Sequence, residues 1–161
     1  VKGKIYVALV LSILLYGSES WCLLDHLMAK LRVFHATCVR SMCRATLKHT
    51  FDHHISTEDL LSRLGIQNMD YYYNNRLLGW AGHIARMPLC RLPRKFLTSW
   101  VNQPRPIGHP RMTWGQTLEK ALGAKNIPLD FKEWSAIAAN RNRWRKLVRL
   151  TPDEALGVVQ A

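Results

Sequence analysis

The sequence predicts a mainly α-helical fold, an irregular multi-helix bundle with a basic Pro/Gly loop. Three observations predict it. Apolar residues recur at steps of three and four from end to end, and no segment alternates with period two between hairpin turns. Capping residues precede several of these runs and Gly or Pro follows them, as at Ser56 and Gly65 or before Pro88. With 48% hydrophobic and 21% charged residues in a chain of 161, there is enough apolar material for one ordinary core. The expected organisation is a single helical domain over 1–150, with a candidate subdivision near 88–112, and a flexible tail over 151–161.

The first helix is expected from about Lys4 to Tyr16, ended by Gly17 and Ser18. It is apolar nearly all round, so most of its surface needs covering, in part by material outside this chain. The chain begins at Val1 with this apolar run almost at once, which suggests a piece of a longer polypeptide. The run is about a dozen residues, short of the roughly 20 that cross a bilayer. A second helix is expected from about His26 to Lys48, burying Leu27, Leu31, Phe34, Cys38 and Met42, with Lys30, Arg40, Arg44 and Lys48 as a positive ridge beside them. Ser56 caps a short helix with Asp59 in capping-box position, and Gly65 supplies its left-handed exit.

The next helix runs from about Asp70 to Met87, its inner face set by Leu77, Trp80 or Ala81, Ile84 and Met87. Gly79 and Gly82 are costly inside a helix and are read as permitting a close helix approach. "CRLPRKFLTSW" forms a short helix with Pro93 in its first turn, and "RPIGHPRMTW" is the connector after it. "TWGQTLEKAL" is helical again, with Trp114, Leu118 and Ala121 inside. Asp130 caps a last helix to about Arg149, with Trp134, Ile137, Ala138, Trp144 and Val148 on its inner side and Arg141 and Arg145 in the same sector, stems buried and heads at the edge.

Charge says more about partners than about fold. The 23 Lys and Arg against 11 Asp and Glu give a net charge of +12, which favours polyanions. From 71 to 118 stand Arg76, Arg86, Arg91, Arg94, Lys95, Arg105 and Arg111 with no Asp or Glu, and Arg141, Arg143, Arg145, Lys146 and Arg149 form a second acid-free block. Two positive zones are expected.

Independent catalysis is not expected. Nucleotidyl transfer needs carboxylates grouped around Mg ions, whereas Asp52, Glu58, Asp59 and Asp70 are scattered over a turn, a cap and a helix start. There is no GxxxxGK[ST] or GxGxxG, and "LYGSESW" does not make G-x-S-x-G. Cys38 and Cys43, followed by His49, His53 and His54, are spaced so that the two thiols point about 140° apart on a helix, so core packing is preferred to zinc. His35 and His83 read as hydrogen-bonded core or edge residues. The four cysteines, Cys22, Cys38, Cys43 and Cys90, are expected reduced and buried. No metal or cofactor is assigned to this segment.

Nucleic-acid binding fits more of the pattern, because Arg and Lys displace counterions from phosphates and Arg forms a planar fork with them. The candidate contacts are Arg40, Arg44, Arg86, Arg94, Arg105, Arg111, Arg141, Arg143 and Arg145. Prolines in "RPIGHPR" would stiffen the loop that presents Arg105 and Arg111, and Trp100 and Trp114 bracket it; core packing remains the commoner use of such tryptophans.

Six phrases arrive in a familiar order: "ALVLSILLYGSESW" at 8–21, "LRVFHATCVRSM" at 31–42, "LLGWAGHIARMP" at 77–88, "RLPRKFL" at 91–97, "RPIGHPRMTW" at 105–114 and "EWSAIAANRNRW" at 133–144. Together they resemble the region after the catalytic palm in non-LTR retrotransposon reverse transcriptases, the thumb and connector of an endonuclease-reverse-transcriptase polyprotein. The resemblance covers 8–149. Arg86, Arg94, Arg111, Arg141, Trp144, Gly82 and His83 match its phrases, whereas Gly79, His109 and Thr113 stand where Arg is common and Asn140 where Asp is common.

The resemblance implies a thumb-like segment that positions a primer-template duplex and is inactive alone, with Mg expected only in the missing palm. Its implied partners are RNA-DNA hybrid, RNA or DNA and the rest of the polyprotein, with no membrane, in nucleus or cytoplasm. The alternative is a non-catalytic helical remnant or scaffold/interaction protein derived from a retroelement.

Overall fold

The computed structural model describes residues 1–98 and 112–150. The expected basic Pro/Gly loop with Arg105 and Arg111, Trp100, and the expected tail over 151–161 lie outside the described residues. Every regular element among the described residues is helical, as the 3.6-residue periodicity requires. The chain divides into two compact units, one of Val1–Ser18 with Leu23–Tyr73 and one of Glu19–Cys22 with Asn74–Ala161.

In the first unit, α1 (Lys2–Ile5) widens into a π-helical stretch (Tyr6–Leu11) and returns to α geometry in α2 (Ser12–Leu14). The Ser12 hydroxyl donates to the Val7 carbonyl five residues back, a side-chain bond spanning the wider turn. Gly17, at φ +70°, ends the segment as expected. Tyr6, Leu11 and Leu15 are buried, while Ile5, Leu9, Ile13 and Tyr16 form an exposed apolar row. Gly3 is a close-approach position, because a Cβ there would lie 2.4 Å from the Leu64 carbonyl oxygen.

The second expected helix proves to be two. α3 (Asp25–Met42) ends in a Schellman motif, with the Ala45 N–H on the Arg40 carbonyl, the Arg44 N–H on the Ser41 carbonyl and Arg44 itself at φ +54°. α4 (Leu47–Asp52) then starts on Thr46, whose hydroxyl accepts from the His49 N–H at 3.1 Å. The positive ridge through Arg40, Arg44 and Lys48 is therefore broken. The buried face also differs by one residue: Met28, His35 and Val39 are enclosed, whereas Leu27 and Phe34 are exposed. α5 (Thr57–Leu64) follows the expected plan, with Ser56 and Asp59 bonding each other's backbone N–H and Gly65 at φ +63°.

α6 (Met69–Ala85) supplies residues to both units. In the second unit its Leu77, Leu78, Ala81, Gly82 and Ile84 are buried. Gly82 is a close-approach glycine, as expected, but Gly79 is exposed and a Cβ there would meet nothing within 4 Å. α7 (Leu92–Thr98) has Pro93 in its first turn. α8 (Trp114–Gly123) begins on a second capping box: the Gln116 N–H reaches Thr113 Oγ1 and the Thr113 N–H reaches Gln116 Oε1. Leu118, Ala121 and Leu122 are buried, and the half-buried Trp114 donates its indole N–H to the Glu19 carbonyl at 2.8 Å.

The expected last helix is also two. Asp130 caps α9 (Phe131–Ala139), and Asn140, in extended backbone conformation, caps α10 (Arg141–Arg149) by accepting the N–H groups of Asn142 and Arg143 at 3.1 Å each. Trp134, Ala138, Trp144 and Val148 are buried, with the Trp134 and Trp144 ring centres 5.9 Å apart. The buried Lys125 ammonium donates to the Leu150 carbonyl at the end of α10, a cation where the helix dipole favours one.

Candidate functional site

The second unit contains a cleft of about 520 Å³ whose walls come from α6 and α10. Asn75, Gly79 and His83 stand one turn apart along α6, with Arg86 just past its end; Arg141, Trp144, Arg145, Val148 and Arg149 come from α10. Among the described residues of this lining there is no carboxylate. The floor is made by Trp144, whose indole N–H donates to the Leu78 carbonyl at 2.9 Å and occupies the space that a side chain at Gly82 would need. This contact fixes how α10 lies on α6, and so which arginines meet.

Arg86 is the anchored member. Its Nη1 donates to the Ala138 carbonyl at 2.7 Å, near the C-terminal end of α9, where carbonyls lack helical partners and attract a cation. Burial first, and then the nearby charges of Arg141 and Arg145, lower the pKa of Arg86 below its ordinary value. Guanidinium groups remain charged throughout the working pH range, so the three repel one another, and an anion bound among them would relieve that repulsion. Arg145 and Arg149 also border a shallower groove with Asn142 and Lys146, so positive lining continues across α10.

The structure thus gathers Arg86, Arg141 and Arg145 from the two expected positive zones. Arg143 lies on α10, exposed, but outside the lining. Arg40 and Arg44 belong to the first unit, where Arg40 donates to the Thr37 hydroxyl and Arg44 forms the left-handed exit of α3. Arg94 lies over the Phe131 ring at 4.9 Å with Nε and Nη1 buried, which makes it a packing element. Arg105 and Arg111 lie outside the described residues. Arg149, His83 and Asn75 were missed as lining residues. Arg149 was legible, since 141, 145 and 149 are spaced by four; His83 was not, because it is exposed where an apolar neighbourhood suggested a core or edge residue.

The other titratable groups have local roles. Asp59 is held below the ordinary carboxylate range by the Ser56 hydroxyl and N–H, and Asp70 forms a two-pronged ion pair with Arg32 at 2.6 and 2.8 Å. His35 is buried between the Tyr6 hydroxyl and the Gln67 carbonyl, as its apolar surroundings suggested. Cys38 and Cys43 are half-buried, but Cys22 and Cys90 are exposed, against the expectation of four buried thiols; both lie in connecting segments between helices, which run over the surface. Among the described residues no three His, Cys, Asp or Glu side chains form a group able to hold a metal ion, so the donors that Mg would need do not fit here. No helix among the described residues is long and apolar enough to cross a membrane.

Fold and site together define, over the described residues, an all-helical protein with an arginine-lined cleft whose described lining holds no carboxylate. The chain is similar to a transposon-derived protein of Caenorhabditis elegans, with 28% identity over 152 residues. That match takes in 92% of this chain and 54% of the relative, so the chain spans about half the length of the protein it matches. No protein-family profile matches the chain, and no solved structure does.

Proposed function

We propose that the chain is a non-catalytic helical domain of retroelement descent that binds the phosphate backbone of nucleic acid. Descent is supported by the similarity to a transposon-derived protein over 152 residues. Binding rests on one observation, the convergence of Arg86, Arg141, Arg145 and Arg149 on a cleft with no carboxylate among the described residues of its lining. Guanidinium forks match phosphate oxygens, and such contacts give affinity without a base code. The finer reading, a thumb-like segment holding a primer-template duplex for a palm elsewhere in a longer polyprotein, follows from the six ordered sequence phrases. Its partners are then RNA-DNA hybrid, RNA or DNA.

The test is a fluorescence titration of the folded chain with a labelled RNA-DNA hybrid at two salt concentrations. Affinity should fall steeply with salt, since each neutralised phosphate contributes about 0.9 to the log-log slope. Salt-insensitive or absent binding rejects the backbone-binding part.

A second reading, a retroelement-derived scaffold or interaction domain, is favoured by the exposed row Ile5, Leu9, Ile13 and Tyr16, which suits a protein partner better than a polyanion. It predicts that alanine at Arg86 and Arg145 leaves polyanion affinity unchanged.

A further inference from the structure

Resting on that backbone-binding reading, we propose that the cleft holds one phosphodiester strand laid along α10, with successive phosphates on Arg141, Arg145 and Arg149 and with Arg86 as the fixed corner. Three features of the site point to a strand rather than a single small anion.

The first is spacing. Positions 141, 145 and 149 recur every four residues, which on an α-helix places them in one slowly turning row about 6 Å apart. That step is comparable with the separation of neighbouring phosphates along a nucleic-acid strand, so each guanidinium can meet its own phosphate. A lone orthophosphate would use only part of the row.

The second is shape. The cleft of about 520 Å³ is far larger than one phosphate, and its positive lining continues through Arg145 and Arg149 into the neighbouring groove with Lys146. An elongated polyanion can follow that course. The third is the bare wall at Gly79. A Cβ at this position meets no atom of the described residues within 4 Å, so the glycine serves no approach between described helices, and it leaves room along α6 opposite the arginine row. His83 and Asn75 flank it by one turn on either side and line the same cleft.

Arg86 differs from the row in being anchored, by its bond to the Ala138 carbonyl. Its fixed position costs little side-chain entropy on binding, which makes it the register point for the strand.

The vacancy at Gly79 gives a test that works in both directions without opening the core. The full 161-residue chain and variants are titrated with a labelled oligothymidylate strand over a salt series, each variant first matched to the parent by circular dichroism and thermal midpoint. Gly79→Arg adds a fifth guanidinium to the cleft and should steepen the dependence of log affinity on log salt by about 0.7, while Arg145→Ala should make it shallower by a similar amount. Gly79→Glu places a carboxylate among the arginines and should weaken binding roughly tenfold or more at low salt. Arg143→Ala, on the same helix but outside the lining, should keep the parent slope. Inorganic pyrophosphate should compete better than orthophosphate.

If the parent chain binds no oligonucleotide, the backbone-binding reading fails and takes this inference with it. If it binds with a salt-dependent slope that Gly79→Arg, Gly79→Glu and Arg145→Ala all leave unchanged, the strand runs elsewhere; this inference is then overturned and the broader reading stands.

Discussion

Gly82 and Trp144 share one volume: a Cβ on Gly82 would lie 2.1 Å from the Trp144 indole nitrogen. The indole is thereby admitted to the Leu78 carbonyl, and the helix that carries Arg141 and Arg145 is set against the helix that leads to Arg86. The packing of an aromatic ring on a glycine thus brings Arg86, four positions from that glycine, together with arginines more than 50 positions away in sequence.

Gly82→Ala should accordingly destabilise the chain by about 3 kcal/mol, because the ring must leave and its hydrogen bond is lost with it. Urea unfolding followed by tryptophan fluorescence measures this. A cost below about 0.5 kcal/mol would show that the ring relocates freely. Trp144→Phe, which keeps most of the apolar contact and loses the indole N–H, should cost about 1 kcal/mol for the hydrogen bond.

His35 should make stability depend on pH. The Gln67 carbonyl can only accept, so His35 Nε2 carries the proton and Nδ1 accepts from the Tyr6 hydroxyl at 2.9 Å; the ring is neutral. Burial lowers its pKa, outweighing the bond to Gln67 that raises it. The unfolded value is about 6.5, so the folded state prefers the neutral ring. This contribution is complete above the unfolded pKa and is lost as pH falls from there through the depressed folded value. Urea midpoints measured from neutral pH down to about 5.5 should decline, and His35→Gln should flatten that part of the profile. An unchanged slope in the variant would assign the decline to other groups.

Arg44 occupies a left-handed position that glycine prefers, at φ +54° in the Schellman exit of α3. Arg44→Gly should stabilise by about 1 kcal/mol and raise the thermal midpoint by roughly 2–4 °C. A lower midpoint would mean that the arginine side chain makes a contact outweighing its backbone strain.

Arg94 should behave as packing and not as a nucleic-acid ligand. Its guanidinium sits over Phe131 with Nε and Nη1 buried and without hydrogen-bond partners among the described residues. Arg94→Met should leave stability within about 1 kcal/mol of the parent, since an apolar chain of similar volume avoids the desolvation of a buried charge. Oligonucleotide affinity should not change. A drop in affinity at matched stability would return Arg94 to the binding surface.

Much of this was legible from short stretches of chain. The capping box of Ser56 and Asp59, the exits at Gly17 and Gly65, the helix start at Thr113 and the cap at Asp130 are decided by hydrogen bonds within about four residues, so the local sequence suffices to place them. The breaks that were missed, at Arg44 and Asn140, lie inside runs whose apolar spacing continues across them. Spacing reports which residues are buried but not whether one backbone joins them. Asn140 is a good cap only where the chain also turns, and the turn depends on Trp134 and Trp144 being buried together. Thr113 and Asn140, which depart from the resembled phrases, are both helix caps.

The sequence by itself determined the helical class, the positive charge and the two acid-free blocks, because these depend on composition and on neighbours along the chain. Only the tertiary structure decided which cations meet. One residue of error in a helix turns its face by about 100°, enough to exchange the expected Leu27 and Phe34 for the observed Met28 and His35. The same sensitivity separates Arg145, inside the cleft, from Arg143, outside it. Charge can be counted along a chain, but convergence depends on how helices dock, and here that docking is set by the indole of Trp144 resting on Gly82.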